Sequence, residues 1–205
     1  WELKDKTAFF MDMEFHPNDP NTVYASTFSY GGNNGIFVSN DNGDTWVRKA
    51  LYSGSVRIAI EVTKAAPDMV YALVARSNFT FLSFNVSEDK GENWTEKTNF
   101  NKSGNILGRY QGSLTNDTEG QGQYDLCLAV SPVDPKLVFI GGINIWKSLD
   151  SGSTFSLITH WYGGYQKPYV HADIHDLKYK MKIQFTLLMT VELIAQQILG
   201  LLGKH

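Results

Sequence analysis

The sequence SNDNGDTW (39–46) returns as SEDKGENW (87–94) and again as SLDSGSTF (148–155). We call these three segments the boxes. Each has an Asp two residues after a Ser, a Gly two residues after that Asp, and an aromatic residue at its end. An Asp side chain accepts hydrogen bonds from turn amides, Gly adopts positive φ without strain, and an aromatic ring can pack between sheets. The boxes therefore predict three equivalent β-hairpin turns, a sign of a repeat architecture.

Each box is expected to place the same residue types at the same points of its turn. These structural residues are Ser39, Asp41, Gly43 and Trp46 in the first box, Ser87, Asp89, Gly91 and Trp94 in the second, and Ser148, Asp150, Gly152 and Phe155 in the third. We expect them to stabilise the fold rather than to bind a ligand.

Four strand-like segments accompany each box. They are 11–20, 22–27, 35–39 and 45–51 in the first unit, 56–67, 69–75, 81–87 and 93–99 in the second, and 124–135, 137–142, 143–148 and 154–160 in the third. Units of about 45 residues with four short strands are typical of β-propeller blades. A two-sheet sandwich would not place the same turn at the same point of each unit. We predict an all-β fold over residues 1–180, a partial β-propeller of about three and a half four-stranded blades.

The boxes resemble the Asp-box repeats, also called bacterial neuraminidase repeats, of sialidases, xyloglucanase-type glycoside hydrolases, sortilin-like receptors and large secreted bacterial proteins. The stretch GGINIWKSLDSGSTF (141–155), followed by HWYGGYQKPYVHADIHDL (160–177), is most similar to propellers of secreted bacterial cell-surface proteins of the xyloglucanase and sortilin-like kind. The resemblance covers residues 1 to about 180 and implies a secreted or cell-surface location in a bacterium. It specifies the fold more than the activity, because one fold hosts many functions.

The composition suits a soluble β-protein with many turns. Charged residues make up 19% of the chain, aromatic residues 13%, and there are 18 Gly. A net charge of −3 provides no basic field, which argues against a nucleic-acid partner. The single Cys127 lies in an apolar run and is expected to be a buried small hydrophobe, since one Cys forms no internal disulfide. We expect no cofactor and no metal ion.

The segment 181–205 breaks the repeat. It is rich in Leu, Ile, Met and Gln and lacks turn residues, which favours a helix or a disordered extension. Glu192, Gln196 and Gln197 in its middle argue against membrane insertion. With suitable codons, a shifted reading frame within 183–205 gives a fourth box in step with the repeat. We therefore treat 181–205 as a separate segment and interpret it as a frameshift product. We expect a longer parent chain to supply the remaining blades, because closed propellers have about four to eight.

The run YVHADIHD (169–176) is expected to open the fourth blade. Alternate residues of a strand share a face, so His171, Asp173 and His175 would point the same way. Such a set can bind a metal ion, transfer a proton, contact a substrate or simply hold a loop through hydrogen bonds. Without a metal ion, we expect His171 and His175 to bind a ligand, and Asp173 is the single candidate for a catalytic acid.

The segment HWYGGYQKPY (160–169), which we call the aromatic loop, precedes that run. It carries Trp161, Tyr162, Tyr165 and Tyr169 close to two glycines. Aromatic rings on a loop offer flat faces on which sugar rings or peptide side chains stack. The alternative is that these rings belong to the core, as scattered aromatic residues of β-proteins usually do.

A Gly- and Asn-rich insertion, residues 97–123, separates the second box from the third unit. Long loops in compact domains are often functional or mobile. Arg109 of this insertion and Asp125 just after it are expected to bind ligand from one wall of a cleft, opposite the aromatic loop.

Two classes of enzyme can be compared with these residues. Sialidases have an Arg-Ile-Pro motif, whereas VRIA (56–59) lacks the proline. Xyloglucanase-type hydrolases carry a catalytic Asp in a Tyr-Ala-Arg-Thr-Asp-like stretch, whereas YASTFS (24–29) has no carboxylate. Glycosidases need a pair of carboxyl groups. The sequence therefore favours a non-catalytic propeller segment that binds polysaccharide or protein. The alternatives are a glycoside hydrolase with an incomplete cleft and a sortilin-like peptide receptor.

Overall fold

The computed structural model describes residues 8–109, 117–180 and 184–189. These residues form fourteen strands and one short helix. The strands are β1 (Phe10–Phe15), β2 (Val23–Thr27), β3 (Asn33–Ser39), β4 (Val47–Ser53), β5 (Ser55–Val62), β6 (Val70–Arg76), β7 (Phe81–Ser87), β8 (Thr95–Asn99), β9 (Cys127–Val130), β10 (Val138–Gly141), β11 (Ile145–Ser148), β12 (Ser156–Thr159), β13 (Ile174–Lys180) and β14 (Gln184–Met189), and the helix is α1 (Phe100–Ser103).

Three sheets of four antiparallel strands account for most of the described chain. They contain β1–β4, β5–β8 and β9–β12, each with its strands in chain order, and we call them blades 1, 2 and 3. Strands β13 and β14 pair antiparallel and begin blade 4. The prediction of a partial β-propeller is therefore confirmed.

Successive blades stack face to face through buried apolar side chains. Between blades 1 and 2 these include Tyr24, Ile36, Val38, Ile58, Ile60 and Val70. Between blades 2 and 3 they include Tyr71, Leu73, Phe84, Leu128, Ile140 and Leu157. Between blades 3 and 4 they include Cys127, Ala129, Ile145, Ile174 and Leu177. Because full burial of a large apolar side chain contributes about 1.5–3 kcal/mol, contacts between blades provide much of the stability of the fold.

Each box closes the turn between the third and fourth strands of its blade around a buried Ser. Ser148 Oγ donates to Asp150 Oδ1 at 2.7 Å and accepts from the Gly152 amide at 2.8 Å. The Asp150 carboxylate accepts from the amide and the hydroxyl of Thr154 at 2.9 and 2.7 Å. Equivalent bonds occur in the first and second boxes, so the three Asp residues lie in equivalent turns.

These hydrogen bonds stabilise the ionised form of the box Asp. The Thr45 hydroxyl, the Thr45 amide and the Ser39 hydroxyl lower the pKa of Asp41 to about 2. Asn93 acts in the same way on Asp89, whose pKa is also about 2. The box carboxylates are therefore ionised turn acceptors at any pH near neutrality.

The box glycine lies against the neighbouring blade. Gly91 and Gly152 have φ angles of 84° and 87°, which residues other than Gly rarely adopt. A Cβ atom at Gly91 would meet Val38 of blade 1 at 3.1 Å, and one at Gly152 would overlap Phe84 of blade 2. Gly is thus required both by the turn and by the approach of the blades.

The alternation of antiparallel strands gives each blade two distinct ends. The boxes lie at one end, together with the turns between first and second strands, as the bond from the Asn42 amide to the Asn21 carbonyl illustrates. The opposite end, which we call the loop end, carries the connections between second and third strands and the segments that join one blade to the next. The aromatic loop and the insertion both belong to the loop end.

Strand β14 differs from the sequence-based expectation for the tail. Residues 184–189 pair with β13 along most of its length, where the sequence predicted a helix or a disordered extension. The edge of β13 offers hydrogen bonds to a neighbouring strand, and tertiary context of this kind outweighs residue propensity. Residues 181–183 and 190–205 lie outside the described residues. Within the described residues, no helix is long and apolar enough to cross a membrane.

The strand predicted over residues 169–176 begins only at Ile174. Asp173 has a φ of 71°, a left-handed conformation that interrupts an extended strand. His171, Asp173 and His175 therefore do not alternate along one strand, and the prediction that they share a strand face is wrong.

Candidate functional site

Buried His160 organises the aromatic loop. Its ring lies edge-on to Tyr162 and Tyr165, with centroid distances of 4.2 and 5.0 Å. Its Nδ1 atom accepts from the amides of Tyr162 and Gly164 at 3.4 and 3.3 Å. Burial lowers the pKa of His160, and the backbone carbonyl of Arg109 acts in the opposite direction. A neutral imidazole thus serves as the centre around which the loop folds.

The tyrosines of this loop are largely in contact with solvent. Tyr162, Tyr165 and Tyr169 expose 50%, 44% and 45% of their surface, whereas Trp161 is half-buried. The loop is held by backbone bonds on both sides of the tyrosines, from His160 to Pro168 and from Val170 to His160. The tyrosine rings therefore form an ordered, exposed surface. They are not part of the core, which was the alternative interpretation of the sequence.

Asn144 joins the aromatic loop to the insertion. This buried side chain accepts from the Trp161 amide at 2.9 Å and donates to the Gly108 carbonyl at 3.0 Å. The Trp161 indole also donates to the backbone carbonyl of Arg109 at 3.0 Å. The Arg109 guanidinium is half exposed and pairs with Glu119 at 2.8 Å. The insertion and the aromatic loop are thus in direct contact.

Gln121 brings together the two carboxyl groups that the sequence singled out. When the side-chain amide is oriented with its nitrogen towards the two carboxylates, this nitrogen donates to Asp125 Oδ2 at 2.9 Å and to Asp173 Oδ1 at 3.2 Å. The amide of Ile174, which follows Asp173, donates to the Gly142 carbonyl at 3.1 Å and fixes this segment against blade 3. Two carboxyl groups from distant parts of the chain therefore lie within two hydrogen bonds of each other.

Asp125 is the more deeply buried member of this pair. It is almost fully buried, with 1% of its surface exposed, and its Oδ1 atom has no hydrogen-bond partner among the described residues. Burial raises the pKa of Asp125 to about 7, and the Asp173 carboxylate adds to the rise. Backbone amides and the Arg57 guanidinium act in the opposite direction. At neutral pH, Asp125 is a mixture of acid and carboxylate.

The two histidines that flank Asp173 lie in different surroundings. The His175 ring packs edge-on to Tyr124 with centroids 4.7 Å apart, and Arg57 donates to the Tyr124 carbonyl at 2.7 Å. His171 is exposed, and its Nδ1 lies 2.6 Å from the Ala172 carbonyl oxygen. Among the described residues, no three His, Cys, Asp or Glu side chains are arranged to hold a metal ion.

A cleft of about 580 Å³ between the first strands of the blades contains acidic residues that sequence reasoning missed. Burial, followed by repulsion from Asp12, raises the pKa of Glu14 to about 7. Burial, followed by repulsion from Glu14, raises the pKa of Glu61 to about 8. Burial also raises the pKa of Asp12, although that carboxylate accepts from the Ile60 amide at 2.8 Å. The signal in the sequence is the pair of acids at alternate positions of the apolar segment FMDMEF (10–15).

Sequence reasoning also missed the residues that hold the loop end together. His160, Asn144 and Gln121 contact the predicted ligand-binding residues but were not themselves predicted as site residues. The polar Asn144 inside the apolar stretch GGINIW (141–146) was the one visible signal. The structure thus gathers Trp161, Arg109, Asp125 and Asp173 at one end of the propeller.

Comparison with known proteins supports the fold alone. No family model matches the chain, and no curated protein does. Among solved structures, a GH74 enzyme from Niastella koreensis aligns at 20% identity and a TM-score of 0.54, covering 83% of this chain and 24% of that one. An ancestral GH74 enzyme aligns at 13% identity and a TM-score of 0.53, covering 73% and 18%. YCF48 from Cyanidioschyzon merolae aligns at 13% identity and a TM-score of 0.56, covering 93% and 53%. The chain thus spans about half the YCF48 chain and a quarter or less of the GH74 enzymes.

Proposed function

We propose that the loop end of this partial propeller binds a polysaccharide, as part of a secreted or cell-surface bacterial protein. The observation that carries the proposal is the aromatic loop, which displays Tyr162, Tyr165 and Tyr169 on an ordered frame. Sugar rings have apolar faces that stack on aromatic side chains, and sites of this kind combine such faces with a few convergent polar groups.

The polar groups at the loop end suit a hydroxylated ligand. Asp173 and Gln121 lie beside Asp125, and carboxylate and amide groups exchange hydrogen bonds readily with sugar hydroxyls. Arg109 of the insertion, which is paired with Glu119, adds a half-exposed guanidinium. The extracellular location rests on the resemblance of the boxes to repeats of secreted proteins.

Binding is tested with the full chain and soluble xyloglucan, mixed-linkage glucan and mannan, by titration calorimetry. Tyr165→Ala and Tyr169→Ala should each weaken binding of the preferred glycan several-fold, because an aromatic contact contributes about 0.5–1.5 kcal/mol beyond its buried area. Leu149→Ala is the matched control, since Leu149 is 65% exposed and lies in the third box, at the opposite end of blade 3. Equal losses in all three variants, or no binding of any glycan by the full chain, would contradict the proposal.

A peptide ligand is the rival occupant of the same surface. Tyrosines also stack on peptide side chains, and one YCF48 structure of similar fold, with a TM-score of 0.56 and 13% identity over 90% of this chain and 49% of that one, is described as bound to the D1 peptide. A library of unstructured peptides screened against the full chain distinguishes the two. Enrichment of a peptide whose binding depends on Tyr165, together with no glycan binding, would favour the peptide receptor.

Hydrolysis of the bound polysaccharide is a second candidate function, favoured by the Asp125–Asp173 pair. Glycosidases use one protonated and one ionised carboxyl group. Asp125, with a pKa of about 7, is the candidate acid, and Asp173 is the candidate base or nucleophile. If the chain is an enzyme, it releases reducing sugar from the bound glycan, and Asp125→Asn and Asp173→Asn each abolish release while Asp134→Asn, an exposed control, does not. Binding without release would leave the non-catalytic function in place.

A further inference from the structure

Tyr124 is an exposed aromatic residue of the loop end that lies outside the aromatic loop. It belongs to the segment that joins blade 2 to blade 3, and 53% of its surface is exposed. Blades 2 and 3 are both among the described sheets, so the two neighbours of this segment are in place. An aromatic side chain exposed on a connection between packed blades is a candidate contact for a ligand.

The surrounding residues hold Tyr124 in one position. Its amide donates to the Gln121 carbonyl at 2.7 Å, and its carbonyl accepts from the Arg57 guanidinium at 2.7 Å. Its ring lies edge-on to His175, with centroids 4.7 Å apart and an interplanar angle of 83°. The exposed part of a ring that is fixed in this way can bind a ligand at little cost in side-chain conformational entropy.

Three buried polar atoms around Tyr124 have no hydrogen-bond partner among the described residues. They are Gln123 Oε1, Asp125 Oδ1 and His175 Nε2. Gln123 and Asp125 flank Tyr124 in the chain, and His175 contacts its ring. Most buried polar side-chain atoms of native proteins have a partner, and the exceptions call for an explanation such as a functional role. Three such atoms around one exposed aromatic side chain therefore indicate a ligand site.

The backbone conformation of Asp173 is an independent observation at the same place. Its φ of 71° is a left-handed conformation, and strain of this kind clusters at ligand sites. The other non-Gly residues with positive φ include Asn42, Lys90 and Ser151, which all occupy the fourth position of a box. The repeat therefore does not account for the conformation of Asp173. This half-buried residue contacts Gln121 through its carboxylate and the Asp125 carboxylate through its amide.

We propose that Tyr124 forms a second sugar subsite of the loop end, where one sugar unit stacks on the Tyr124 ring and a hydroxyl of that unit hydrogen bonds to Asp173. The inference rests on the proposed polysaccharide binding and adds a contact separate from the aromatic loop. Backbone bonds from Val170 to His160 and from Ile174 to Gly142 fix the segment that connects the two subsites. Several linked sugar units can contact both subsites at once, so the ligand is a glycan chain and not a single sugar.

Titration calorimetry of the full chain with soluble xyloglucan, mixed-linkage glucan and mannan tests the second subsite. Tyr124→Ala should weaken binding of the preferred glycan about fivefold, because it removes one aromatic contact. Tyr124→Phe keeps the ring and should bind as wild type does. Val133→Ala is the matched control, since Val133 is 76% exposed and lies on the turn between β9 and β10, at the box end. Near-UV circular dichroism checks that the variants stay folded.

A double variant shows whether the two subsites are separate. In Tyr124→Ala/Tyr165→Ala the affinity should fall by the product of the two single losses, because contacts at distant positions are independent. A double variant no weaker than Tyr165→Ala alone would overturn the second subsite, as would equal losses in Tyr124→Phe and Tyr124→Ala.

The same titrations separate this inference from the proposed function. Wild-type affinity in Tyr124→Ala, with weakened binding in Tyr165→Ala, would overturn the second subsite and leave polysaccharide binding in place. A full chain that binds none of the three glycans would overturn both. If Tyr124→Ala is unfolded, Tyr124→Leu replaces it, because Leu keeps an apolar contact with His175 but has no aromatic face.

Discussion

The indole nitrogen of Trp161 donates a hydrogen bond of 3.0 Å to the backbone carbonyl of Arg109, which lies 52 residues earlier in the chain. This contact makes the aromatic loop and the insertion one continuous surface at the loop end. It also explains why a tryptophan in the aromatic loop is half-buried while its three tyrosines remain exposed. Loss of this junction should therefore affect ligand binding and stability together.

Asn144→Ala should loosen the junction between the insertion and the aromatic loop. The substitution leaves the Gly108 carbonyl and the Trp161 amide without their buried partner. We expect the free energy of unfolding to fall by about 1–3 kcal/mol and glycan affinity to fall as well. Urea denaturation and calorimetry measure the two effects. Asn40→Ala, at an exposed position within the first box, is the control and should change neither by a comparable amount.

Ser148→Ala should destabilise the fold without affecting the ligand site. Ser148 Oγ is buried and satisfies the amides of Asp150 and Gly152, which would be left without an acceptor. Deletion of such an acceptor costs about 1–2 kcal/mol, measurable by chemical denaturation. Ser153→Ala, at an exposed position in the same turn, should cost much less. Glycan binding should be unchanged because the boxes and the loop end are at opposite ends of the blades, and a loss of affinity in Ser148→Ala would argue against this separation.

Glu61→Gln should stabilise the protein at alkaline pH. The folded-state pKa of Glu61, about 8, lies above its ordinary value, so the folded protein binds more protons than the unfolded chain between about pH 4.5 and 8. Its contribution to stability is therefore lost as the pH rises through that window. Urea denaturation should show the variant to be more stable than wild type by roughly 1–3 kcal/mol at pH 8.5 and similar to it at pH 4.5.

The loss of stability with rising pH should be smaller in a Glu14→Gln variant than in wild type, because the Glu14 carboxylate repels Glu61. Asp12 also repels Glu61, and Lys178 attracts it. Asp176, which repels Glu14 and Asp12, faces the same cleft. Glu92→Gln is a control at a surface ion pair with Lys49. A variant Glu61→Gln that follows the wild-type stability at every pH would show that Glu61 is not held protonated by burial.

Removal of residues 181–205 should leave blades 1–3 folded. The apolar contacts of blade 3 with blade 4 come from Val170, Ile174 and Leu177, all before the deletion. Truncation after Lys180 should therefore lower the melting temperature by no more than a few degrees while hydrogen exchange in β1–β12 stays slow. Sequencing of the coding DNA tests whether 183–205 is out of frame. Complete unfolding of the truncated chain would show that the tail is an essential structural element.

The repeat and its turns could be predicted from sequence because their chemistry is local. Ser148, Asp150 and Gly152 satisfy each other within a few residues, so the pattern in the chain already contains the hydrogen-bonded turn. Strand order followed from the same regularity, since four short strands with one recurring turn have few ways to pair. The tail was harder to predict, because the pairing of residues 184–189 depends on a β13 edge that residue composition does not reveal.

Only the tertiary structure decided which distant segments of the chain lie next to each other. The sequence placed Asp125 and Asp173 among candidate residues, but their meeting at Gln121 depends on how blades 3 and 4 stack. The raised pKa values of Glu14 and Glu61 likewise arise because their two strands are neighbours around the cleft. Periodicity determines which face of a strand a residue occupies, whereas desolvation and charge repulsion depend on what the next blade brings to that face. Local patterns therefore specified the blades, and the packing of one blade on another created the site.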